Sequence, residues 1–340
     1  MNIYMQAESL PSACMFVPFM NKKYTDDKPI FFIYGPTASG KTDFASLLAE
    51  SIPAEIINMD SAQCYTPLTI GTAKPDWRNT QYMQHMFDCI DEPKTLTVHA
   101  YRSMVLPLIQ EVYSRGNIPI FVGGSGFYLK SLLFPPQGPT LGLREKYVFE
   151  TKNNLWQELN AIDPERALTI HPSDIYRVER ALEIWYATGK KPSEYRPLYD
   201  PPAQFVLIHV TRNREDLYDR INRRVYQMIA QGWEHEVALL LDSPWEGFVQ
   251  EKRIIGYNEL IDYLKGRLTQ EQAIDLIQQR SRNYAKRQET FWRMINRQIC
   301  YEERKGSGNN YAVIKELDLT YTDISLYIKQ LLDTILLDKE

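Results

Sequence analysis

Ile30-Phe31-Phe32-Ile33-Tyr34-Gly35-Pro36-Thr37-Ala38-Ser39-Gly40-Lys41-Thr42 is the stretch on which the reading of this chain turns. Its first five residues form a short apolar run that stops at a glycine, the pattern of a buried strand. A helix is expected from about Lys41, with Phe44, Ala45, Leu47 and Leu48 on one face. Between strand and helix, residues 35–42 satisfy G-x-x-x-x-G-K-[ST], in the context that gives the pattern its mechanism. Glycines let main-chain N–H groups turn inward around phosphate oxygens at the positive end of the helix. Lys41 adds a point charge, and the Thr42 hydroxyl is placed to ligate Mg²⁺. Gly35, Pro36, Thr37, Ala38, Ser39, Gly40, Lys41 and Thr42 are therefore the expected diphosphate or nucleotide site, with Thr42 as metal ligand and Mg²⁺ as cofactor. The pattern identifies a polyphosphate ligand and not a reaction. Kinases, NTPases and transferases with a diphosphate leaving group all use it.

Outward from this stretch, Glu55-Ile56-Ile57-Asn58-Met59 reads as a second strand, residues 101–113 as a helix, and Ile118-Pro119-Ile120-Phe121-Val122 as a third strand. Strand, helix, strand, helix, strand predicts a parallel sheet with right-handed crossovers, a P-loop NTPase-like α/β fold. Prolines and glycines break the pattern over 134–143, and prolines 192, 197, 201 and 202 break it again. The charged, helical stretch between them predicts a mainly helical insertion at 139–199, inside a core of 28–138 and 200–340. Phe205-Val206-Leu207-Ile208-His209-Val210 returns as a strand, helices dominate to Arg297, and a Gly-Ser-Gly-Asn-Asn turn at 306–310 precedes a last strand and helix. Residues 1–27 are expected to be a poorly ordered leader.

Composition narrows the class. The 340 residues are 44% hydrophobic and 24% charged, an ordinary globular mix that supports a sizeable core. No apolar run approaches the length of a membrane span, and no basic n-region precedes an apolar h-region. Cys14, Cys64, Cys89 and Cys300 include no C-x-x-C pair, so they read as small buried residues in a reducing cytoplasm. The net charge of −4 hides a local excess: residues 251–300 hold ten Lys/Arg against six Asp/Glu. Such a stretch is either a solvated helix face or a footprint for phosphates.

Two further strand ends carry polar residues. Asp60 closes the second strand, where carboxyl ends face the ligand crevice of a doubly wound sheet. There it can hold a metal through water, act as a base, or cap the next helix. Gly123-Gly124-Ser125-Gly126 closes the third strand and opens onto the same crevice, with Ser125 either a phosphate donor or a helix cap.

Taken together, the segments resemble the tRNA dimethylallyltransferase family (tRNA isopentenyltransferases), bacterial type. The resemblance rests on residues 35–42, on Asp60-Ser61-Ala62-Gln63, and on Ile70-Gly71-Thr72-Ala73-Lys74-Pro75. It continues through Gly123-Gly124-Ser125-Gly126-Phe127-Tyr128, Arg177-Val178-Glu179-Arg180-Ala181-Leu182-Glu183 with Thr188-Gly189, Ile255-Gly256-Tyr257-Asn258-Glu259, and Ala285-Lys286-Arg287-Gln288. It implies transfer of a dimethylallyl group from dimethylallyl diphosphate to N6 of the adenosine 3′ to the anticodon, in tRNAs reading UNN codons. It implies Asp60 as general base, with Ser125 and Arg224 as catalytic partners at the diphosphate. Asp60, Ser61, Ala62, Gln63 and Ser125 fall on segments that contact the tRNA anticodon stem-loop. So do Tyr176, Arg177, Val178, Glu179, Arg180, Arg253, Ile254, Ile255, Gly256, Tyr257 and Asn258. No membrane and no obligate protein partner are implied.

The chain departs from the family at Ser125, which replaces a threonine, and at Gln84-His85, which stands where paired histidines are common. Cys64 stands where valine or isoleucine is usual. Arg280, Arg282, Lys286, Arg287 and Arg293 are candidates to reach phosphates. A small-molecule or nucleotide kinase shares the loop but leaves Ile-Gly-Thr-Ala-Lys-Pro without a purpose. A nucleotide-gated RNA-binding module would show no product.

Overall fold

The computed structural model describes residues 28–135, 154–195, 198–305 and 312–336. The expected leader, Cys14, Pro197 and the 306–310 turn lie outside the described residues.

Two compact units divide the chain: Met1–Leu129 with Pro202–Glu340, and Lys130–Pro201. The first is built on six parallel strands, β1 (Ile30–Tyr34), β2 (Ala54–Asn58), β3 (Gln84–His85), β4 (Ile118–Gly123), β5 (Phe205–Thr211) and β6 (Ala312–Asp318), in the order β3-β2-β4-β1-β5-β6. All five residues of β1 are buried, as expected of a central strand covered on both faces. On one face Phe31, Ile33, Val206 and Ile208 pack with Phe44, Ala45 and Leu48 of α1 (Lys41–Ser51). On the other, Phe32 meets Phe121 and Phe205 at ring-centroid distances of 5.1 and 5.5 Å.

The chain runs from β1 outward to β2 and β3, returns through α2 (Val98–Ser114) to β4, and later crosses to β5 on the other side of β1. That reversal places the topological switch at the carboxyl end of β1, where ligands bind in open α/β sheets. β3 was not anticipated. Two residues are too few to show any alternation, and they form a strand because β2 offers them an edge.

Helices α3 (Gly126–Leu133), α4 (Leu155–Ile162), α5 (Pro164–Leu168) and α6 (Ile175–Thr188) follow. Within the second unit, Leu155, Leu159, Ala167, Ile170, Val178, Ala181 and Leu182 make a small core. Asp174 caps α6 by accepting from Arg177 N–H, and Gly189 closes it in the left-handed region. The first unit resumes with α7 (Arg214–Ala230), α8 (Trp233–Ala238), α9 (Pro244–Lys252), α10 (Tyr257–Leu264), the 35-residue α11 (Gln270–Arg304) and α12 (Ile324–Leu336). Thr269 and Gln272 start α11 with a reciprocal capping box.

Candidate active site

The phosphate loop sits between β1 and α1, with its carbonyls engaged by cations. Pro36 O accepts from Lys41 Nζ (3.1 Å), Ala38 O from Arg220 Nε (2.9 Å) and Ser39 O from Arg212 Nε (2.8 Å). An incoming anion therefore meets N–H groups rather than oxygen lone pairs. The first-turn amides of α1, which no intrahelical carbonyl can accept, add to that supply. Thr42 is exposed at this helix start.

Lys41 and Asp60 face each other across the crevice. Burial pulls the Lys41 ammonium down to about 8, opposed by Asp60 and assisted by nearby Arg224. Burial raises the Asp60 carboxyl above the ordinary aspartate range, against the pull of Lys41 and of the Ala62 and Gln63 N–H groups. The Arg224 guanidinium, on α7, is itself depressed by burial and by neighbouring Arg220. Lys41, Arg220 and Arg224 thus crowd one place at a cost that an anion would relieve.

Asp60 stands two residues beyond β2 rather than at its end: Met59 N–H still makes a ladder bond to Val122 O (2.7 Å), and the pairing stops there. Asn58 fixes the turn: its Oδ1 accepts from Asp60 N–H (2.9 Å) and its Nδ2 donates to Asp60 O (3.0 Å). Asp60 Oδ1 accepts from Ala62 N–H (3.0 Å) in a turn two residues on, while the 3₁₀ turn at Ala62–Cys64 begins at Ser61 without a side-chain cap. Ser125 does something the sequence did not suggest. Its hydroxyl accepts from Ser61 N–H (3.0 Å), tying the second glycine-rich turn to the Asp60 turn.

Gln288, on α11, ties the same turns to the phosphate loop. Its Oε1 accepts from Thr37 N–H (2.8 Å) and its Nε2 donates to Gly124 O (3.0 Å). Its main-chain carbonyl accepts from Tyr34 OH (3.1 Å). A Cβ at Gly124 would lie 1.9 Å from Gln288 Nε2, so a larger residue there would have to push the Gln288 amide off its partners. Gln288 had no task assigned from the sequence, because these partners are more than 160 residues away in the chain.

The Ile70–Pro75 segment is also held by distant groups. Glu236 accepts from the N–H groups of Thr69 (3.0 Å), Ile70 (2.6 Å) and Gly71 (3.2 Å), and from Tyr257 OH (2.7 Å). Gln63 Nε2 donates to Thr72 O (2.9 Å) and Ala73 O (3.2 Å). Lys74 is paired with Asp88.

The expected RNA-contacting residues divide. Asp60, Ser61, Ala62, Gln63 and Ser125 lie together beside the loop. Arg253 is exposed, and Ile254, Ile255 and Asn258 are half-buried. Gly256 and Tyr257 do not: Tyr257 is fully buried, and Gly256, at φ 91°, has the Trp233 ring where a Cβ would be. Their side-chain positions serve packing. Tyr176, Arg177, Val178, Glu179 and Arg180 belong to the second unit. Tyr176 and Arg177 are exposed there, whereas Val178 is fully buried in that unit's core and cannot offer its side chain to RNA. Of the basic residues of α11, Arg280 pairs with the buried Glu259 and Arg282 donates to Asn222 Oδ1 (2.6 Å). Lys286, Arg287 and Arg293 are exposed, with Arg287 over the Tyr284 ring at 5.5 Å.

Residues 63–295 match the family described as IPP transferase. A tRNA dimethylallyltransferase of Pelotomaculum thermopropionicum is 39% identical over 283 residues, covering 80% of this chain and 89% of the relative. The chain belongs to this tRNA dimethylallyltransferase family. A Thermotoga maritima member is 36% identical, covering 80% of this chain and 92% of its own. Among solved structures, a eukaryotic dimethylallyltransferase acting on tRNA superposes with a TM-score of 0.73 at 26% identity, covering 92% of this chain and 81% of that one. The tRNA isopentenylpyrophosphate transferase of Bacillus halodurans gives 0.61 at 33% identity, covering 91% and 96%. The family fold expected from the sequence is thus the fold found. No described helix is long and apolar enough to cross a membrane.

Proposed function

We propose that this member of the family transfers a dimethylallyl group from dimethylallyl diphosphate to N6 of the adenosine 3′-adjacent to the anticodon, in tRNAs that read UNN codons. The observation that carries this reading is the pairing of an anion-hungry cluster, Lys41, Arg220 and Arg224, with the single raised carboxyl of Asp60 opposite it. The cluster suits the leaving diphosphate, on which negative charge grows as its bond to the allylic carbon breaks. N6 attacks that carbon, the carbon–oxygen bond breaks, diphosphate departs, and the N6 proton passes to Asp60. Lone-pair delocalisation makes N6 a poor nucleophile, so a carboxylate in reach contributes on the order of 10²–10⁴ in rate. The adenosine must leave its stack to arrive there, which calls for contacts on the surrounding loop. Exposed Lys286, Arg287, Arg293 and Arg253 supply positive charge for them.

The residues present fit Mg²⁺. Thr42 offers its hydroxyl at the exposed start of α1, and the fully buried Ser39 Oγ has no hydrogen-bond partner among the described residues. Thr42 is the residue that would hold the ion, together with diphosphate oxygens. When bound, it neutralises charge on the leaving group. A cytoplasmic location is part of this reading, because that is where such a tRNA substrate would be met.

The test is direct. Purified protein, Mg²⁺ and labelled dimethylallyl diphosphate are incubated with unmodified tRNA carrying a UNN-reading anticodon, and the nucleosides are weighed. One N6-(dimethylallyl)adenosine per tRNA is expected. Unchanged adenosine beside consumption of ATP on a small acceptor would return the kinase reading. Binding without either product would leave an RNA-binding module.

A further inference from the structure

Two thiols that the transfer reaction does not use lie side by side beneath the Asp60 turn. Tyr65 and Ile90 form an isolated parallel bridge. Ile90 N–H donates to Cys64 O (3.0 Å), Thr66 N–H to Ile90 O (3.0 Å) and Asp88 N–H to Gln63 O (3.4 Å). The Ile90 N–H to Cys64 O bond joins the main chain of Cys64, the last residue of a 3₁₀ turn at Ala62–Cys64, to that of the residue following Cys89, and so brings the two cysteines next to one another. A disulfide asks for Cα atoms roughly 4.4–6.8 Å apart, a span that neighbours joined in this way can reach. Both sulfurs reach one polar knot. Asn58 Nδ2 donates to Cys64 Sγ (3.5 Å) and to Met86 O (3.0 Å), and Met86 O also accepts from Cys89 Sγ (3.8 Å). Cys64 Sγ in turn donates to Asp60 O (3.5 Å). Both cysteines are free; Cys64 is fully buried and Cys89 partly exposed.

We propose that Cys64 and Cys89 are a redox modification site, closing a reversible disulfide that slows catalysis by displacing the Asp60 turn. The mutual influence of the neighbouring thiols pushes Cys64 up, with burial adding to it, and draws Cys89 down, which makes the more accessible Cys89 the attacking thiolate and Cys64 the resolving thiol. With hydrogen peroxide as oxidant, Cys89 sulfur attacks one peroxide oxygen, the O–O bond breaks and hydroxide leaves, giving a sulfenic acid. Cys64 sulfur then displaces that hydroxyl, the S–S bond forms, and the Cys64 proton departs with the oxygen as water. The two thiols lose two electrons and peroxide becomes two waters. A dithiol reductant reverses the step by exchange.

Closure removes the Cys64 S–H from Asp60 O and pulls on the two segments that Asn58 clamps together. The activity arm rests on the transfer reaction proposed above, whereas the bond itself does not. The full chain is treated with hydrogen peroxide, its free thiols blocked, and the protein digested with trypsin. Peptides 42–78 and 79–94 are expected joined, and separated by dithiothreitol. Displacing a reacting group by about an ångström costs up to roughly 100-fold, so kcat of the oxidised enzyme is expected to fall at least about tenfold and to recover on reduction. Cys89→Ser should keep its kcat through the same treatment. Separate peptides after oxidation, a joined pair with unchanged kcat, or equal loss in Cys89→Ser would each overturn the proposal. Absence of transfer by the reduced protein would fault the reaction instead, and the joined peptides alone then decide for or against the pair.

Discussion

Strand β2 carries one carboxylate at its start and another just past its end, and the two have opposite fates. Glu55 is fully buried and saturated with donors. Arg115 Nε (2.7 Å) and Asn117 Nδ2 (2.8 Å) reach Oε1, while Arg115 Nη2 (2.8 Å) reaches Oε2, with His85 Nε2 2.6 Å from the same oxygen. Burial alone would raise its carboxyl, but the bonds from Arg115, Asn117 and His85 outweigh it and hold the group at about 2. Asp60, five residues on, faces Lys41 and two main-chain N–H groups, and there burial wins and the carboxyl rises. The difference is one of donor supply. A saturated carboxylate fastens β2 to β3 and to the end of α2; an undersupplied one keeps affinity for a proton, which a general base requires.

The comparison is sharpened first at Asp60. Asp60→Asn should lower kcat by about 10²–10⁴ with tRNA affinity and melting temperature nearly unchanged. Glu55→Gln should do the reverse, removing about 1–3 kcal/mol of stability as the bonds from Arg115, Asn117 and His85 lose their charged acceptor, with kcat of the folded fraction within a few fold of wild type. Denaturant titration beside single-turnover rates reads both, and a folded Glu55→Gln as slow as Asp60→Asn would break the distinction. Gln288→Ala should cost about 1–3 kcal/mol, because Thr37 N–H and Gly124 O lose their partner. Its mark is a KM for dimethylallyl diphosphate raised more than the KM for tRNA.

The Lys41 ammonium gives a pH signature. Its ordinary value is 10.5, and the free protein holds it at about 8. Below that point it is charged with or without ligand; above it, binding an anion must take up a proton. Affinity for inorganic diphosphate is therefore expected to hold below about pH 8 and to fall by up to about tenfold per unit above it. Lys41→Arg, charged throughout, should lose this Lys41-linked part of the fall in calorimetric titrations. Smallest of all is Arg287→Glu, expected to weaken tRNA binding a few fold and to flatten its salt slope by about 1. An unchanged slope would make Arg287 a partner of Tyr284 alone.

Local pattern carried the sheet and the phosphate loop, because an apolar run, a glycine turn and an amphipathic start each state their geometry within a dozen residues. Asp60 was legible from its place after a strand. The second tier was not. Gln288 reaches Thr37 across 251 residues and Glu236 reaches Ile70 across 166, contacts that no spacing rule anticipates. Asn58 was a readable clue, an amide in an apolar strand, but what it clamps depends on Met86 and on the turn beyond. Tyr257 and Val178 lie in segments expected at the RNA, and only burial separates the residues that shape such a segment from those that present it.

The central claim is settled by a distance. In a complex of the protein with a tRNA anticodon stem-loop and an unreactive thiodiphosphate analogue of the donor, N6 of the extruded adenosine should lie about 2.6–3.2 Å from the Asp60 carboxylate, the range of a proton transfer. An extruded adenosine whose amine meets some other acceptor, with Asp60 turned away from it, would contradict the account.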